Sequence, residues 1–186
     1  MFSIFKYFQK SSISPNNKKF LIVGLGNIGE EYKNTRHNIG FDIVDQLGKI
    51  LKGTFNSAKY GDILKSKYAG KQIILLKPNT FMNLSGKAVL YWLKKEKINT
   101  NNLIVIVDDL NINFGLSRLK ASGSDGGHNG LKDITNSLNT SNFPRLRFGI
   151  GNNFKKKDQV DFVLSKWNKE ESNNLRHLID KNVEII

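Results

Sequence analysis

Strand-length apolar segments alternate with longer segments of helical periodicity over most of the chain. The strand candidates occupy residues 20–23, 63–69, 72–77, 103–107, 116–121 and 146–150. Apolar positions three or four residues apart predict helices at residues 39–51, 84–95 and 129–138, and a charged helix from residue 169 onward. Gly70 and Lys71 predict a tight hairpin between the second and third strands. This alternation predicts an α/β fold, a single-domain α/β/α sandwich around a mixed, mostly parallel twisted sheet.

The first 18 residues differ from the rest of the chain in composition. They contain lysines and several aromatic residues but no acidic residue and no arginine. We expect residues 1–18 to be a flexible N-terminal extension. An organellar targeting segment is the alternative, which the missing arginine disfavours. Residues 19–186 then form one domain, a length that suits a single hydrophobic core.

The chain is strongly basic, with 29 lysines and arginines against 16 acidic residues and a formal net charge of +13. Nucleic acid is the commonest partner for such a surface, because binding releases counterions from its phosphates. A generally basic composition is the alternative explanation. The chain has no cysteine, which excludes disulfides, thiol catalysis and thiolate-bound zinc. No apolar run approaches the ~20 residues of a membrane helix, so we expect no membrane partner and a cytoplasmic location.

Gly24, Gly26 and Gly29 match the spacing of a dinucleotide-binding loop that follows a strand. Two acidic residues, Glu30 and Glu31, follow where the phosphates would lie, and no apolar helical stripe begins there. No acidic residue ends a second strand ~20 residues further on, as ribose binding would require. The sequence therefore disfavours a nucleotide-dependent oxidoreductase or kinase.

Polar residues follow several of the predicted strands, at the edge of the sheet where α/β proteins place their sites. Asn27 follows the first strand, and Asp108 ends the most apolar one. His128 and Asn129 come after a pair of glycines at the start of a predicted helix. His37 is the best candidate for a general base, and Asp108 is the best carboxylate to orient it. This pair predicts direct activation of a water molecule.

Other interpretations of these residues stay open. Ser124 is a possible nucleophile, although it lacks the Gly-x-Ser-x-Gly context. A metal site formed by His37, His128 and Asp108 is disfavoured because no His-x-x-x-His spacing occurs. A helix cap is the structural alternative for His128. His177 lies on a charged helix, which predicts a solvated side chain.

Basic residues two positions apart on predicted strands indicate where phosphates bind. Arg118 and Lys120 face the same side of one predicted strand, and Arg145 and Arg147 repeat this spacing on another. Arginine suits bidentate phosphate contacts and lysine suits point contacts. The lysine run at residues 155–157 adds positive charge and is more typical of a solvated face.

Six ordered motifs resemble those of the bacterial-type peptidyl-tRNA hydrolase family. They are residues 21–27 (LIVGLGN), 32–40 (YKNTRHNIG), 77–86 (KPNTFMNLSG), 108–110 (DDL), 126–132 (GGHNGLK) and 145–151 (RLRFGIG). The resemblance runs in family order from about residue 19 to residue 166. Asn111, Asn113 and Phe114 depart from the family pattern, which predicts a less rigid loop after Asp108.

The resemblance implies hydrolysis of the ester between a peptide and the 3′ ribose of tRNA, which recycles tRNA from abandoned translation. It implies that His37 is the general base and that Asp108 orients it. The residues implied to hold the peptide, the terminal nucleotide and the water are Asn27, Met82, Asn83 and Asn129. We count Asn27 among the catalytic residues, and Tyr32 is implied to lie near the scissile end. Lys120 and Arg147 match a clamp for the tRNA 5′-phosphate. The resemblance implies no metal or cofactor and a monomer that contacts the acceptor stem and 3′ end of peptidyl-tRNA.

A non-catalytic RNA-binding module on the same fold is the competing function. Binding alone requires neither a general base nor its orienting carboxylate. The presence of both His37 and Asp108 therefore favours the enzyme.

Overall fold

The computed structural model describes residues 18–186, and these form one seven-stranded mixed sheet. The strands are β1 (Lys19–Gly24), β2 (Asn56–Ala58), β3 (Gly61–Tyr68), β4 (Lys71–Pro78), β5 (Leu103–Asp109), β6 (Ser117–Lys120) and β7 (Arg145–Gly149). Their order across the sheet is β2-β3-β4-β1-β5-β7-β6. The four central strands β4, β1, β5 and β7 are parallel, whereas the β2–β3, β3–β4 and β6–β7 pairs at the two edges are antiparallel.

Helices cover both faces of the sheet. They are α1 (Ile39–Ile50), α2 (Ser85–Glu96), α3 (Asn129–Leu138), α4 (Gln159–Leu164) and α5 (Lys169–Ile185). One core joins residues of α1 and α5 to one face of the sheet, and a second core joins α2 and α3 to the other face. The predicted α/β/α sandwich and its mixed sheet are thereby confirmed.

The hairpin between β3 and β4 turns one residue earlier than predicted. Ala69 and Gly70 form the turn, with φ values of 47° and 74°, and Lys71 already pairs with Tyr68. Two consecutive left-handed residues match the turn that best fits the twist of a two-residue hairpin. The predicted Gly70–Lys71 turn is wrong because alanine gives no sign in the sequence that it will adopt a positive φ.

The glycines of the first motif serve packing between β1 and α1. A Cβ atom on Gly24 would lie 2.1 Å from the carbonyl oxygen of Gly40 in the first turn of α1. This close approach brings the turn before α1 onto the carboxyl ends of β1 and β5. The α-helix after β1 begins only at Ile39, well beyond Gly29, so the loop lacks the geometry of a dinucleotide-binding turn.

No helix within residues 18–186 is long and apolar enough to cross a membrane. The predicted extension at residues 1–18 lies outside the described residues except for its last position.

Candidate active site

A cavity of about 380 Å³ opens at the carboxyl ends of the central strands. Its lining includes seven of the nine predicted site residues: Asn27, His37, Met82, Asn83, Asp108, Asn129 and Arg147. The other two, Tyr32 and Lys120, lie outside this lining. Tyr32 is half-buried in a short 3-10 turn after β1, and Lys120 is exposed at the end of β6. The tertiary structure therefore brings residues from six separate motifs to one place.

His37 lies in a single 3-10 turn, Arg36–Asn38, directly before α1. The Asn38 side chain ties this turn to the loop after β1. Its Oδ1 accepts from the backbone N–H of Asn27 at 2.8 Å, and its Nδ2 donates to the Asn27 carbonyl at 2.9 Å. The turn is thereby held beside Asp108, the next-to-last residue of β5.

Asp108 is shared by two imidazoles. Its Oδ1 lies 2.8 Å from Nδ1 of His37 and 3.0 Å from Nε2 of His128. The Asp108 side chain is only 4% exposed. Both rings therefore interact with one carboxylate oxygen in a place that excludes most water.

The α3 N-terminus sets the tautomer of His128. Nδ1 of this ring accepts from the backbone N–H groups of Gly130 and Leu131, at 3.1 and 3.3 Å. An acceptor nitrogen carries no proton, so the proton is on Nε2, which donates to Asp108. The helix-cap interpretation of His128 is confirmed, and the same ring also holds the carboxylate.

The electrostatics of the pair follow from this arrangement. Burial disfavours the charged form of Asp108, but the charge of protonated His37 and the hydrogen bonds of His37 and His128 outweigh it and hold the pKa of Asp108 well below its usual range. Burial likewise opposes protonation of His37, but the charge and hydrogen bond of Asp108 raise its pKa above the ordinary value. An ionised Asp108 accepts a hydrogen bond from the Nδ1–H of His37, which leaves Nε2 of His37 as the basic nitrogen.

Three asparagines surround this pair. The Asn27 side chain is largely buried, and its Oδ1 accepts from the backbone N–H of Met82 at 2.8 Å. Because the oxygen is already occupied, Asn27 presents its Nδ2 donor groups to the cavity. Asn83 and Asn129 are exposed residues of the cavity lining. The site therefore combines one buried amide donor with two solvated amides that are able to donate and accept.

The four basic residues of β6 and β7 form two cross-strand pairs. Arg118 lies opposite Arg147, and Lys120 lies opposite Arg145. Arg118 and Lys120 are both exposed on alternate positions of β6, which confirms that they share a face. Both strands therefore present their basic residues on the same side of the sheet.

Arg145 does not belong to an exposed phosphate surface. Its guanidinium is fully buried, stacks 4.2 Å from the Phe143 ring centroid, and donates to the carbonyls of Gly123 and Ser141 at 2.7 Å each. Burial, helped by the charge of Arg147, lowers its pKa to about 10. The prediction that Arg145 contributes to a phosphate-binding surface is wrong, because its donors hold the backbone of the neighbouring loops.

Arg147 lies in the cavity wall with its side chain 15% exposed. Its Nη1 donates to Asp109 Oδ2 and its Nη2 to the Ser124 carbonyl, both at 2.9 Å. The two arginines of β7 thus anchor the loop of residues 122–127 through its backbone carbonyls. Ser124 itself is not part of the cavity lining, which disfavours it as a nucleophile.

Ligand atoms of His37, Asp108 and His128 lie within 4.8 Å of one another, a spacing that metal sites also show. The hydrogen bonds described above account for all three side chains. That the site works without a metal stays a prediction.

Sequence reasoning missed one wall of the cavity. Gln159, Val160, Val163 and Leu164 of α4 line it, as does Asp109. Asp109 follows Asp108 directly, so its proximity was available from the sequence. The six residues of α4 are too few for a periodic pattern to show.

Comparison with known proteins identifies the family of this chain. The sequence model of the peptidyl-tRNA hydrolase family matches residues 21–186. Peptidyl-tRNA hydrolase of Parabacteroides distasonis is 52% identical over 168 residues, covering 90% of each chain. The Aquifex aeolicus enzyme of the same name is 45% identical, covering 89% of this chain and 87% of its own. The crystal structure of peptidyl-tRNA hydrolase from Acinetobacter baumannii has a TM-score of 0.84 at 38% identity, covering 90% of this chain and 86% of that one. The chain therefore belongs to the peptidyl-tRNA hydrolase family.

Proposed function

We propose that this protein hydrolyses the ester bond between the peptide and the 3′ ribose of peptidyl-tRNA and so releases tRNA for reuse in translation. The observation that carries the proposal is the His37–Asp108 hydrogen bond inside a cavity lined by three asparagines. Family membership supports the same reaction.

In the proposed mechanism, Nε2 of His37 takes a proton from a water molecule as that water attacks the ester carbonyl carbon. Asp108 remains ionised and stabilises the imidazolium that forms. The tetrahedral intermediate then collapses, and the bond between the carbonyl carbon and the ribose 3′-oxygen breaks. The leaving oxygen takes the proton from His37, which restores the base and yields a free peptide acid and tRNA.

Asn27 is the proposed donor to the developing oxyanion. Its Oδ1 is held by the Met82 backbone, so its Nδ2 is oriented before substrate arrives. A donor that needs no reorganisation stabilises the transition state more than one that must first move. Asn83 and Asn129, at the cavity rim, are proposed to hold the peptide and the terminal nucleotide, with Met82 as an apolar contact and Tyr32 near the scissile end.

Lys120 and Arg147 are the proposed contacts to the tRNA 5′-phosphate. Lys120 is exposed beside Arg118, so a phosphate reaches it without displacing a protein contact. Arg147 already donates to Asp109 and Ser124, so a phosphate shares or replaces those acceptors. We also propose that the protein acts as a monomer in the cytoplasm and needs no metal or cofactor.

The experiment uses N-acetyl-aminoacyl-tRNA and, in parallel, the same tRNA with a free amino group. We expect the wild-type protein to cleave the blocked form preferentially and H37A to lose about 10³-fold in kcat while still binding tRNA. The variant K120A serves as a binding control. It should raise KM at low salt and reduce the salt dependence of binding by about one phosphate contact.

Binding of tRNA without cleavage by the wild-type protein would instead make it an RNA-binding module. Cleavage retained in H37A would remove His37 from the role of base.

A further inference from the structure

Arg36 is a buried cation that the proposed mechanism does not use. It precedes His37 in the same 3-10 turn, and its side chain is only 6% exposed. A buried guanidinium is costly unless its donors are paired. Its partners therefore indicate what it holds.

Most of those partners belong to the segment that directly follows α4. The backbone N–H of Arg36 donates to the Ser165 carbonyl at 3.1 Å. Its Nη1 donates to Ser165 Oγ and to the Lys166 carbonyl, the latter at 2.9 Å. Thr35 and Lys166 also form an isolated antiparallel bridge. The catalytic turn and residues 165–166 are thus joined by backbone and side-chain hydrogen bonds.

The faces of the guanidinium are also occupied. Its central carbon lies 4.4 Å from the ring centroid of Phe162 in α4 and 5.3 Å from that of Trp167. Cation–π contacts gain strength where water is excluded. The buried guanidinium of Arg36 therefore packs against Phe162 of α4.

The second terminal nitrogen binds the start of α5, whereas the buried Nε has no hydrogen-bond partner among the described residues. Nη2 of Arg36 donates to Glu171 Oε2, and the same oxygen accepts from the backbone N–H of Asn168 at 2.8 Å. Asn168 and Glu171 form the capping box of α5. One carboxylate therefore closes the helix cap and pairs with Arg36. Together these contacts tie residues 162–171 to the turn that carries His37.

Besides Arg36, α4 is held by Phe162 and Val163, which pack half-buried against the core, and by the stacking of Phe162 on Phe154 at 4.6 Å between ring centroids. It is only six residues long, and none of these described residues is fully buried. Isolated helices of this length are not stable in water. Gln159, Val160, Val163 and Leu164 nevertheless form one wall of the catalytic cavity. The contacts to Arg36 join that wall to the turn that carries His37.

We infer that Arg36 is a positioning residue that fixes α4 as the wall of the catalytic cavity against the 3′ end of the bound substrate. This inference rests on the proposed function for the identity of the substrate. Arg36 acts through α4, because its donors engage α4, the following segment and α5, whereas His37 is held by Asp108. Loss of Arg36 should weaken substrate binding and leave the basicity of His37 intact.

The test compares R36K, S165A and Q46A. R36K keeps a positive charge opposite Glu171 but cannot bridge Ser165 and Lys166 or stack as guanidinium does. S165A removes the Ser165 hydroxyl, which accepts from Arg36 and donates to the Phe162 carbonyl at 2.7 Å, and it is the milder variant if R36K is too unstable to purify. Q46A is the matched control, because it removes the 2.7 Å hydrogen bond from α1 to Asp180 of α5, away from α4.

The first measurement is hydrogen exchange of residues 159–167 without substrate. We expect exchange at least about tenfold faster in R36K, a smaller increase in S165A and none in Q46A. Hydrogen exchange does not require enzymatic activity. It therefore tests whether Arg36 holds α4 even if the protein does not cleave the substrate. Unchanged exchange in both R36K and S165A would overturn the inference.

The second measurement is single-turnover cleavage of N-acetyl-aminoacyl-tRNA as a function of pH. We expect the half-saturating concentration to rise about tenfold in R36K, with the maximal rate within about twofold and the acid limb of the pH profile unmoved. A fall in maximal rate with a displaced acid limb would show that Arg36 acts on His37, and would refute the assignment to α4. Failure of wild-type cleavage would refute the proposed function alone.

Discussion

Two aspartates, Asp108 and Asp42, lie on opposite sides of the loop that follows β1. Both are partly or fully removed from water, but their pKa values are shifted in opposite directions. Asp108 lies in the catalytic cavity, whereas the half-buried Asp42 of α1 faces a second cleft between α1 and α5. Asn27 lines both. The pKa of Asp108 lies well below the usual range, and that of Asp42 is raised from 3.8 to about 6.

Burial acts in the same direction on both groups, since it disfavours a negative charge. The neighbours make the difference. Asp108 receives hydrogen bonds from His37 and His128. Asp42 lies beside the carboxylate of Asp45, which adds to the effect of burial, and the nearby Lys77 offsets it only in part because it pairs with Asp45 at 2.6 Å. A buried carboxyl group therefore stays ionised only where hydrogen-bond donors surround it.

The largest expected effect comes from D108N, which removes the charge that the two imidazoles share. The general base must be neutral, so wild-type kcat/KM should rise with pH through the raised pKa of His37, above its ordinary value of 6.5. Without the carboxylate that pKa falls and the ring is free to adopt the wrong tautomer. We expect kcat to fall about 10²–10⁴-fold and the acid limb to move to lower pH. Steady-state pH profiles check this, and a loss under about tenfold would contradict the shared-carboxylate arrangement.

A smaller effect is expected for H128N. Asparagine is a good N-cap and preserves the start of α3, but its side chain is too short to reach Asp108. Because a hydrogen bond to a charged group contributes about 1.5–3 kcal/mol, we expect kcat to fall about tenfold. Hydrogen exchange in the first turn of α3 should be nearly unchanged, which separates the loss of a donor to Asp108 from the loss of the cap. Unaltered kcat in H128N would mean that His128 serves α3 alone.

The smallest effect is expected for D42N, and it concerns stability. The folded protein binds the Asp42 proton at a pH of about 6, while the unfolded chain binds it near 3.8, so the ionised group destabilises the fold at neutral pH. Replacing it with a neutral amide should raise the free energy of unfolding by about 1–2 kcal/mol at pH 7–8. The gain should shrink as the pH falls from about 6 and vanish below about 4.

Denaturant unfolding at several pH values measures this gain. E30Q is the matched control, because Glu30 is 90% exposed and changes the net charge equally. If the increase in the free energy of unfolding of D42N does not depend on pH, the ionised carboxylate of Asp42 is not what destabilises the fold. Cleavage activity should be unaffected in both variants.

Local pattern was sufficient for much of the fold. The helix at Asn129–Leu138 has the predicted bounds, Ile39–Ile50 ends one residue earlier than predicted, and Ser85–Glu96 is shifted by one residue at both ends. These segments carry a clear apolar stripe that tertiary packing reinforces. Gln159–Leu164 was missed because six residues give too short a pattern, and because contacts with Arg36, distant in sequence, hold it in place.

The sequence by itself determined the alternation of strands and helices and the six motifs whose residues converge on one cavity. It also placed His37 and Asp108 as partners, since the carboxyl ends of parallel strands meet at one edge of a sheet. Only the tertiary structure decided how each polar group is used. Arg145 and Arg147 look equivalent in the sequence, yet one guanidinium is fully buried against backbone carbonyls and the other borders the cavity. The physical reason is that burial and hydrogen-bond partners, which set charge and orientation, come from residues far apart in the chain.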